Sequence, residues 1–179
     1  LAPNSCASLS ISWFDGGDAV HAASVMTTDL GCSSITDPST LNALQNGRFN
    51  EPPAMKAQGV TIGKGDVVLF HTGWMAGKMV SEKDLYRSRE PGLTEDGAIF
   101  LCDLGVVAIG SDTVALEALP SPPGKTFIVH QTMLAKKGVH VLETIDTNQL
   151  AADRVKEFLF VLGIPRMVGT VQMVINPVA

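Results

Sequence analysis

The clearest hydrophobic pattern in the chain is a pair of short apolar runs that each end in polar residues. Residues 67–72 form a continuous apolar run with turn residues on both sides, which predicts a strand buried on both faces. Residues 106–109 are apolar again and lead directly to Asp112. Between the two runs, helical spacing after Thr94 predicts a capped helix that ends at Gly105. This order predicts a β-loop-α-β unit with parallel strands.

The second half of the chain predicts a further helix and several strands. Residues 130–138 have two lysines in the last turn and a terminal glycine, which predicts a short helix. Residues 139–143 alternate between two faces, as a strand does. The apolar run 158–164 predicts another buried strand, and 169–175 predicts the last strand. Weaker patterns predict short strands at 9–14 and 60–62 and short helices at 40–44, 52–58 and 147–155.

Length and composition favour a single α/β domain. A chain of 179 residues buries roughly 70% of its unfolded surface, which is enough for a core without disulfides. No repeat or linker divides it, so we predict one domain over residues 1–179, in which residues 1–50 carry the weakest pattern. Charged residues make up only 17% of the chain. Because water-facing surface is normally richer in charge, this low fraction predicts a homo-oligomer.

The same properties argue against several partners and settings. All apolar runs are much shorter than the ~20 residues that a membrane-spanning helix needs. The net charge is −5 and the basic residues are scattered, so we predict no nucleic-acid partner. No secretion leader precedes Leu1, which favours the cytoplasm and leaves open a secreted or periplasmic mature form, or a piece of a longer protein. The three cysteines are expected to be reduced, with a Cys6–Cys32 disulfide as the alternative.

Candidate chemistry gathers where the predicted elements end. Asp112 follows a predicted buried strand, at the edge where open α/β sheets bind ligands. His130 begins the next helix, and Glu143 ends the strand after it. Stacking these elements would bring an imidazole and two carboxylates to one rim, a composition suited to metal binding or acid/base chemistry. Asp15 and His21 lie in a Gly-containing segment that is equally typical of a solvated turn.

A series of motifs in the last two thirds of the chain resembles one enzyme family. The motifs lie at residues 65–74, 91–93, 110–112, Glu117, 129–131, Gly138, 142–143 and 158–161. Together they resemble the cyclase family of metal-dependent amide hydrolases, which includes bacterial kynurenine formamidase and isatin hydrolase. The resemblance covers roughly residues 56–179. It implies a swivelling β/β/α domain, a dimer or tetramer, and a Zn or Mn site that hydrolyses N-formylkynurenine-like or lactam substrates.

The resemblance also implies roles for individual residues. His130 or Gln131, together with Glu143, falls on positions that face the family's metal site. The family's N-terminal motif, His-x-Gly-Thr-His-x-Asp-x-Pro-x-His, is not in this chain, and its nearest echo lies at residues 13–21. The expected metal ligands are Asp15, His21, His130 and Glu143, of which His130 and Glu143 are also expected to be catalytic. The expected substrate-binding residues are Trp13, Trp74, Asp112 and Gln131.

Two functions are consistent with these features. The first is an arylformamidase-like hydrolase in which a metal-activated water attacks a non-peptide C–N bond of an amide, formamide or lactam. The second is a catalytically inactive oligomer of the same fold that acts as a binding or structural protein. The missing N-terminal motif favours the second hypothesis. The retained His130 and Glu143 favour the first, which is the function that the sequence predicts.

Overall fold

The computed structural model describes residues 60–179 in full and, before them, the backbone of two strands. These strands, β1 (Cys6–Asp15) and β2 (Ala19–Thr28), pair antiparallel as a hairpin. The strand predicted at residues 9–14 is therefore confirmed and is longer than expected. The helices predicted at 40–44 and 52–58 lie outside the described residues, as does the proposed Cys6–Cys32 disulfide.

Three short parallel strands form one side of the sheet. They are β3 (Val67–His71), β4 (Ala108–Ser111) and β5 (His140–Leu142). β3 pairs with β4, and β4 pairs with β5, in one continuous register. The parallel pairing of β3 with β4 confirms the β-loop-α-β unit predicted from the sequence. It also places the carboxyl ends of all three strands at one edge of the sheet.

The described strands together make a mixed sheet. Their order is β5-β4-β3-β2-β1-β6, where β6 is Glu157–Leu159. β2 runs parallel to β3, β1 runs antiparallel to both, and β6 pairs parallel with β1. This mixed arrangement, with helices between the strands, confirms the predicted α/β class.

Short helices lie between the strands in the second part of the chain. They are α1 (Trp74–Lys78), α2 (Lys83–Ser88), α3 (Glu95–Asp103), α4 (Ile128–His130) and α5 (Asn148–Ala152). The hydroxyl of Thr94 accepts a hydrogen bond from the Gly97 amide at the start of α3, so the predicted cap is confirmed. α4 continues directly into a π-helical segment, Gln131–Lys137. Gly138 ends that segment at φ 69°, in the left-handed region that glycine adopts easily.

The core lies on both faces of β3. Val68 and Phe70 pack into one apolar cluster, and Val67 and Leu69 pack into another. Side chains of a strand alternate between its two faces, so β3 is buried on both sides, as its continuous apolar run predicts. The first cluster contains the α3 and π-helical side chains Ala98, Leu101 and Met133. Burying each aliphatic side chain of this size stabilises the fold by roughly 1.5–3 kcal/mol.

The apolar runs at the C-terminal end were predicted wrongly. Only Glu157–Leu159 is a strand there, and the chain from 169 to 175 is irregular. Most of the large aliphatic side chains in this region are exposed, namely Leu159, Val161, Ile164, Val168, Val171 and Val174. Residues 60–62 also form no strand, although Val60 and Ile62 are buried. An apolar run favours burial but does not specify the hydrogen-bonded neighbour that makes a strand.

Two further expectations concern the described residues alone. Cys102 is a free thiol that packs against the first core cluster, as expected for a reduced packing residue. Among the described helices, none has the length and apolar character required to cross a membrane.

Candidate metal site

The fold brings His130 and Glu143 into direct contact. His130 ends α4, and Glu143 follows β5 immediately, after the chain has reversed at Gly138. The Nε2 atom of His130 lies 3.0 Å from Oε1 of Glu143. The side chains are 21% and 20% exposed, so both are accessible from solvent. The predicted approach of these two side chains is therefore what the structure shows.

The second ring nitrogen of His130 faces a different carboxylate. Nδ1 lies 3.8 Å from Oε1 of Glu117, which is too long for a hydrogen bond. Glu117 is buried, and its other oxygen accepts a hydrogen bond of 2.7 Å from the Val129 amide. The carboxylates of Glu117 and Glu143 raise the pKa of His130 to about 9, against the opposing effect of burial. The imidazole thus lies between two carboxylates, and their negative charge favours its protonated, positively charged form.

A third carboxylate is buried nearby. Glu90 has no exposed surface, and its two oxygens accept hydrogen bonds of 2.7 Å from the amides of Val114 and Ala115. Burial raises the pKa of Glu90 to about 7 despite these two bonds, and the charges of Glu143 and Asp112 add to the increase. Glu90 therefore holds the loop that follows β4 and adds to the acidic character of this edge of the sheet.

Asp112 ties the ends of β3 and β4 together. Its Oδ1 accepts hydrogen bonds from the amide of Thr72, at 2.8 Å, and from the Thr72 hydroxyl, at 2.6 Å. His71 lies beside it, with Nδ1 2.8 Å from the Thr147 hydroxyl and 3.9 Å from Asp112 Oδ2. Asp112 is 1% exposed, so a ligand in the solvent does not reach its carboxylate. The predicted placement of Asp112 at the strand edge is observed, but its contacts are structural.

Three buried polar atoms in this region have no hydrogen-bond partner among the described residues. They are Asp112 Oδ2, Glu117 Oε1 and His130 Nδ1. Buried polar atoms are normally paired, since desolvating one without a partner costs roughly 1–3 kcal/mol. Two of the three face each other across the 3.8 Å gap between Glu117 and His130. A small approach of these side chains would satisfy both atoms.

The pair formed by His130 and Glu143 fits a divalent cation in donor type. Imidazole nitrogen and carboxylate oxygen are ligands that Zn²⁺ takes at about 2.0–2.2 Å in a tetrahedral arrangement, so two ligands of one ion lie about 3.4 Å apart. The Nε2 to Oε1 distance of 3.0 Å is that of a direct hydrogen bond, so the two groups would separate by about 0.4 Å around an ion. Within the described residues, no group of three His, Cys, Asp or Glu side chains converges on one point. Any third protein ligand therefore comes from outside those residues.

The strand register does not bring Asp15 and His21 to this pair. Thr27 pairs with His71 at the carboxyl end of β3, and His21 lies six positions earlier on β2. Asp15 pairs with Ala19, further still from that end. At about 3.3 Å per residue, the His21 backbone lies roughly 20 Å along the strand from the edge that carries His71. In this register the backbones of Asp15 and His21 lie toward the opposite edge of the sheet, and their role as metal ligands stays a prediction.

The other predicted substrate-binding residues do not line an open site. Trp74 is buried against Met75 and Tyr86, and its indole nitrogen donates to the Tyr86 carbonyl at 3.4 Å. Gln131 is exposed and donates to the Thr126 carbonyl at 3.0 Å. The side chain of Trp13 lies outside the described part of the chain.

A cleft of about 860 Å³ opens beside His130 and Glu143. Its apolar lining includes Phe127, Leu134, Val141 and Ile164. The Phe127 ring is about half exposed and meets the His130 ring edge to face, with ring centroids 5.3 Å apart. The aromatic residue at the site is therefore Phe127, which the sequence did not single out.

Three residues next to the site have a left-handed backbone. Leu116, Phe127 and Thr144 have φ angles of 56°, 52° and 56°. For residues with a Cβ, this conformation costs on the order of 1 kcal/mol or more, and it is concentrated at functional sites. Leu116 precedes Glu117, and Thr144 follows Glu143. The strain is thus located where it fixes the two carboxylates that flank His130.

Comparison with known proteins gives a family match. A family model described as putative cyclase matches residues 32–118. The predicted resemblance to the cyclase family is confirmed, and the matched residues end before His130 and Glu143. A search of curated proteins gives no match to this chain.

Two solved structures resemble the chain. A crystal structure described as a novel cyclase has a TM-score of 0.63 and 22% identity, and the match covers 73% of this chain and 44% of that one. A structure described as a potential metal-dependent hydrolase with cyclase activity has a TM-score of 0.45 and 22% identity, over 65% of this chain and 51% of that one. At these identities the first similarity concerns the fold alone. The chain spans about half the length of the solved structures it matches.

The sequence did not predict that Glu117 lies beside His130. Glu117 is part of the motif series, but it lies thirteen positions before His130 in a Pro-containing loop whose path no periodicity describes. Glu90 was missed for the same reason, since its partners Val114 and Ala115 belong to a loop far along the chain. For Glu117 the available signal was the placement of a carboxylate between the apolar residues Leu116 and Ala118, which predicts a buried and therefore hydrogen-bonded acid.

Proposed function

We propose that this chain is a metal-dependent hydrolase of a non-peptide C–N bond, with an arylformamidase-like reaction on an amide, formamide or lactam. The observation that carries the proposal is the 3.0 Å contact between His130 Nε2 and Glu143 Oε1. The match to the cyclase family and the motif series support the enzyme class. A swivelling β/β/α arrangement of the complete protein and assembly into a homodimer or homotetramer are part of the same proposal.

His130 and Glu143 are the residues that would hold the cation, with Zn²⁺ or Mn²⁺ as the candidates. A divalent cation in such a site lowers the pKa of a bound water towards neutrality and polarises the substrate carbonyl. Open catalytic sites usually take three protein ligands. Since the described side chains supply two, a third ligand would come from outside the described residues.

Glu143 also has the position of a proton acceptor. Its Oε2 accepts a hydrogen bond of 3.1 Å from the Gln172 side chain, while Oε1 faces His130. The carboxylate is therefore restrained in one plane at the wall of the cleft. A carboxylate held within reach of the substrate can take a proton from an attacking water and return it to the leaving nitrogen.

The cleft supports a small aromatic substrate. Its volume of about 860 Å³ lies within the range of roughly 300–1,000 Å³ that small-molecule sites occupy. Phe127 stands beside His130 with about half of its surface exposed, so its ring is available for contact with an aromatic substrate. The surrounding aliphatic side chains would exclude water from the scissile bond once the substrate is bound.

The direct test is hydrolysis of N-formylkynurenine by the purified protein, before and after treatment with a chelator. We expect activity that the chelator abolishes and that added Zn²⁺ or Mn²⁺ restores. The variants His130→Ala and Glu143→Ala should be inactive, whereas Glu157→Ala, which removes an exposed carboxylate on β6, should retain activity. A protein that binds no metal and gains no activity from added metal would instead be an inactive oligomer of the same fold.

A further inference from the structure

We infer that Glu117 is the positioning residue of the metal site: it accepts the Nδ1 proton of His130 and so leaves Nε2 free to bind the cation. The inference rests on the proposed function, because it assigns the cation to the Nε2 side. It concerns a residue that touches neither the cation nor the substrate. Glu117 would act only through the tautomer and the orientation of the His130 ring.

Glu117 is anchored beside His130. Its side chain is buried, and Oε2 accepts a 2.7 Å hydrogen bond from the Val129 amide, one residue before His130. The free oxygen, Oε1, is thereby held on the Nδ1 side of the ring at 3.8 Å. Both atoms are buried, and neither has a hydrogen-bond partner among the described residues. A hydrogen bond from His130 Nδ1 to Glu117 Oε1 would therefore satisfy both atoms.

The loop that carries Glu117 is held in place by its neighbours. Leu93 and Glu117 form a β-bridge, and the Leu93 amide donates to the Leu116 carbonyl at 2.8 Å. Gly92 approaches this loop so closely that a Cβ atom at that position would lie 2.3 Å from the Glu117 carbonyl carbon. The Glu117 backbone is thus fixed from the opposite side. A ring that turns slightly toward it would close the 3.8 Å gap.

The two sides of the His130 ring face different surroundings. Glu143 lines the open cleft together with His130, so a cation and a water can reach Nε2. Glu117 instead lines a separate cavity of about 150 Å³ beside Leu93 and Ile128. Metal-binding histidines usually donate their other ring proton to a carboxylate or carbonyl. Here Glu117 would accept the Nδ1 proton of His130, and His130 would bind the cation through Nε2.

Substitution of Glu117 by glutamine tests the assignment because it changes the hydrogen-bonding options. The Val129 amide needs an oxygen acceptor, so the new amide turns its NH₂ group toward His130 Nδ1. Nδ1 must then accept a hydrogen bond, and the ring proton moves to Nε2, where it blocks the cation. We expect Glu117→Gln to weaken Zn²⁺ or Co²⁺ binding by about 10–100-fold, the range seen for such supporting residues.

Asp66→Asn is the matched control. Asp66 is also a buried carboxylate that accepts a hydrogen bond from a backbone amide, that of Gly63, but it lies at the amino end of β3, away from the cleft. Titration of each metal-free protein with Co²⁺, followed by visible absorption, gives both the affinity and the coordination spectrum. We expect Asp66→Asn to keep the wild-type affinity and spectrum. Equal weakening in both variants would overturn the inference, because it would trace the effect to general destabilisation.

A measurement on the wild type keeps the inference testable if Glu117→Gln does not fold. In the zinc-loaded protein, a proton shared between His130 Nδ1 and Glu117 should give a downfield NMR signal that exchanges slowly with water. A rapidly exchanging Nδ1 proton would overturn the inference and leave the metal site intact. Wild-type protein that binds neither Zn²⁺ nor Co²⁺ would contradict the proposed function as well.

Discussion

His130 and Glu143 stand thirteen positions apart in the chain, and their side chains meet with Nε2 3.0 Å from Oε1. Glu117 faces the other ring nitrogen, so one imidazole lies between two carboxylates. Such an arrangement needs a positive charge at its centre. In the absence of a metal that charge is a proton, which is why the pKa of His130 is raised to about 9 by Glu117 and Glu143. Metal binding at Nε2 would displace this proton.

Substitution of Gly92 by alanine should damage both stability and the site. A Cβ atom there would lie 2.3 Å from the Glu117 carbonyl carbon and 2.5 Å from the Ala118 nitrogen, so the loop must move. We expect a loss of roughly 1–3 kcal/mol of unfolding free energy, measured by urea denaturation, together with weaker metal binding. Gly63→Ala is the control, because a Cβ atom at Gly63 meets nothing within 4 Å. Equal stability of the two variants would contradict the close packing.

Glu90 should make the stability of the protein depend on pH. Burial raises its pKa from 4.5 to about 7, so the folded protein holds this proton more tightly than the unfolded chain. Its contribution is therefore fully present below pH 4.5 and is lost as the pH rises through about 7, with a total of up to about 3 kcal/mol. Urea denaturation at a series of pH values gives the free energy of unfolding at each pH. In this window, that free energy should fall less steeply with rising pH in Glu90→Gln than in the wild type. Identical slopes would show that Glu90 does not titrate there.

Asp112 should tolerate replacement by asparagine but not by alanine. An asparagine oxygen can still accept both hydrogen bonds from Thr72, at the positions now 2.8 and 2.6 Å from Asp112 Oδ1. Alanine leaves two buried donors unpaired, which should cost on the order of 3 kcal/mol. Thermal unfolding and the hydrolysis assay separate the two roles. If Asp112→Asn folds normally but loses activity, the carboxylate has the substrate role expected from the sequence and not the structural one.

Phe127 should affect substrate binding more than the chemical step. Replacement by alanine removes the ring that stands against His130 and retains a Cβ at the left-handed backbone position, so the strain is unchanged. We expect KM for N-formylkynurenine to rise by about 3–10-fold with kcat nearly unchanged. Val80→Ala, at a position that is 77% exposed, serves as the control. An unchanged KM would exclude the ring from the substrate site.

The sequence predicted the local features of the central sheet well. The strand at β3, the parallel strand at β4 and the Thr94 cap of α3 all depend on residues that are close together in the chain. The approach of His130 and Glu143 was also predictable, because His130 begins a predicted helix, Glu143 ends the strand after it, and Gly138 reverses the chain between them. These features were predictable because they depend on local sequence patterns.

Long-range packing was not predictable in the same way. The run at 158–164 is apolar enough for a buried strand, but only Phe158, Phe160 and Leu162 pack into the second core cluster. The side chains of Leu159, Val161 and Ile164 are exposed. Trp74, predicted to contact the substrate, is buried against Tyr86 and Met75. Likewise, Glu117 reaches His130 through a loop whose course depends on the close approach of Gly92. Such contacts depend on three-dimensional placement that residue type and periodicity do not encode.

The most direct test of the account is the metal content of the purified protein after equilibrium dialysis against Zn²⁺ or Mn²⁺. We predict about one tightly bound ion per chain, with loss of that ion in Glu143→Ala and full retention in Glu157→Ala. Wild-type protein without bound metal, or Glu143→Ala with wild-type metal content, would contradict the assignment of His130 and Glu143 as the metal site.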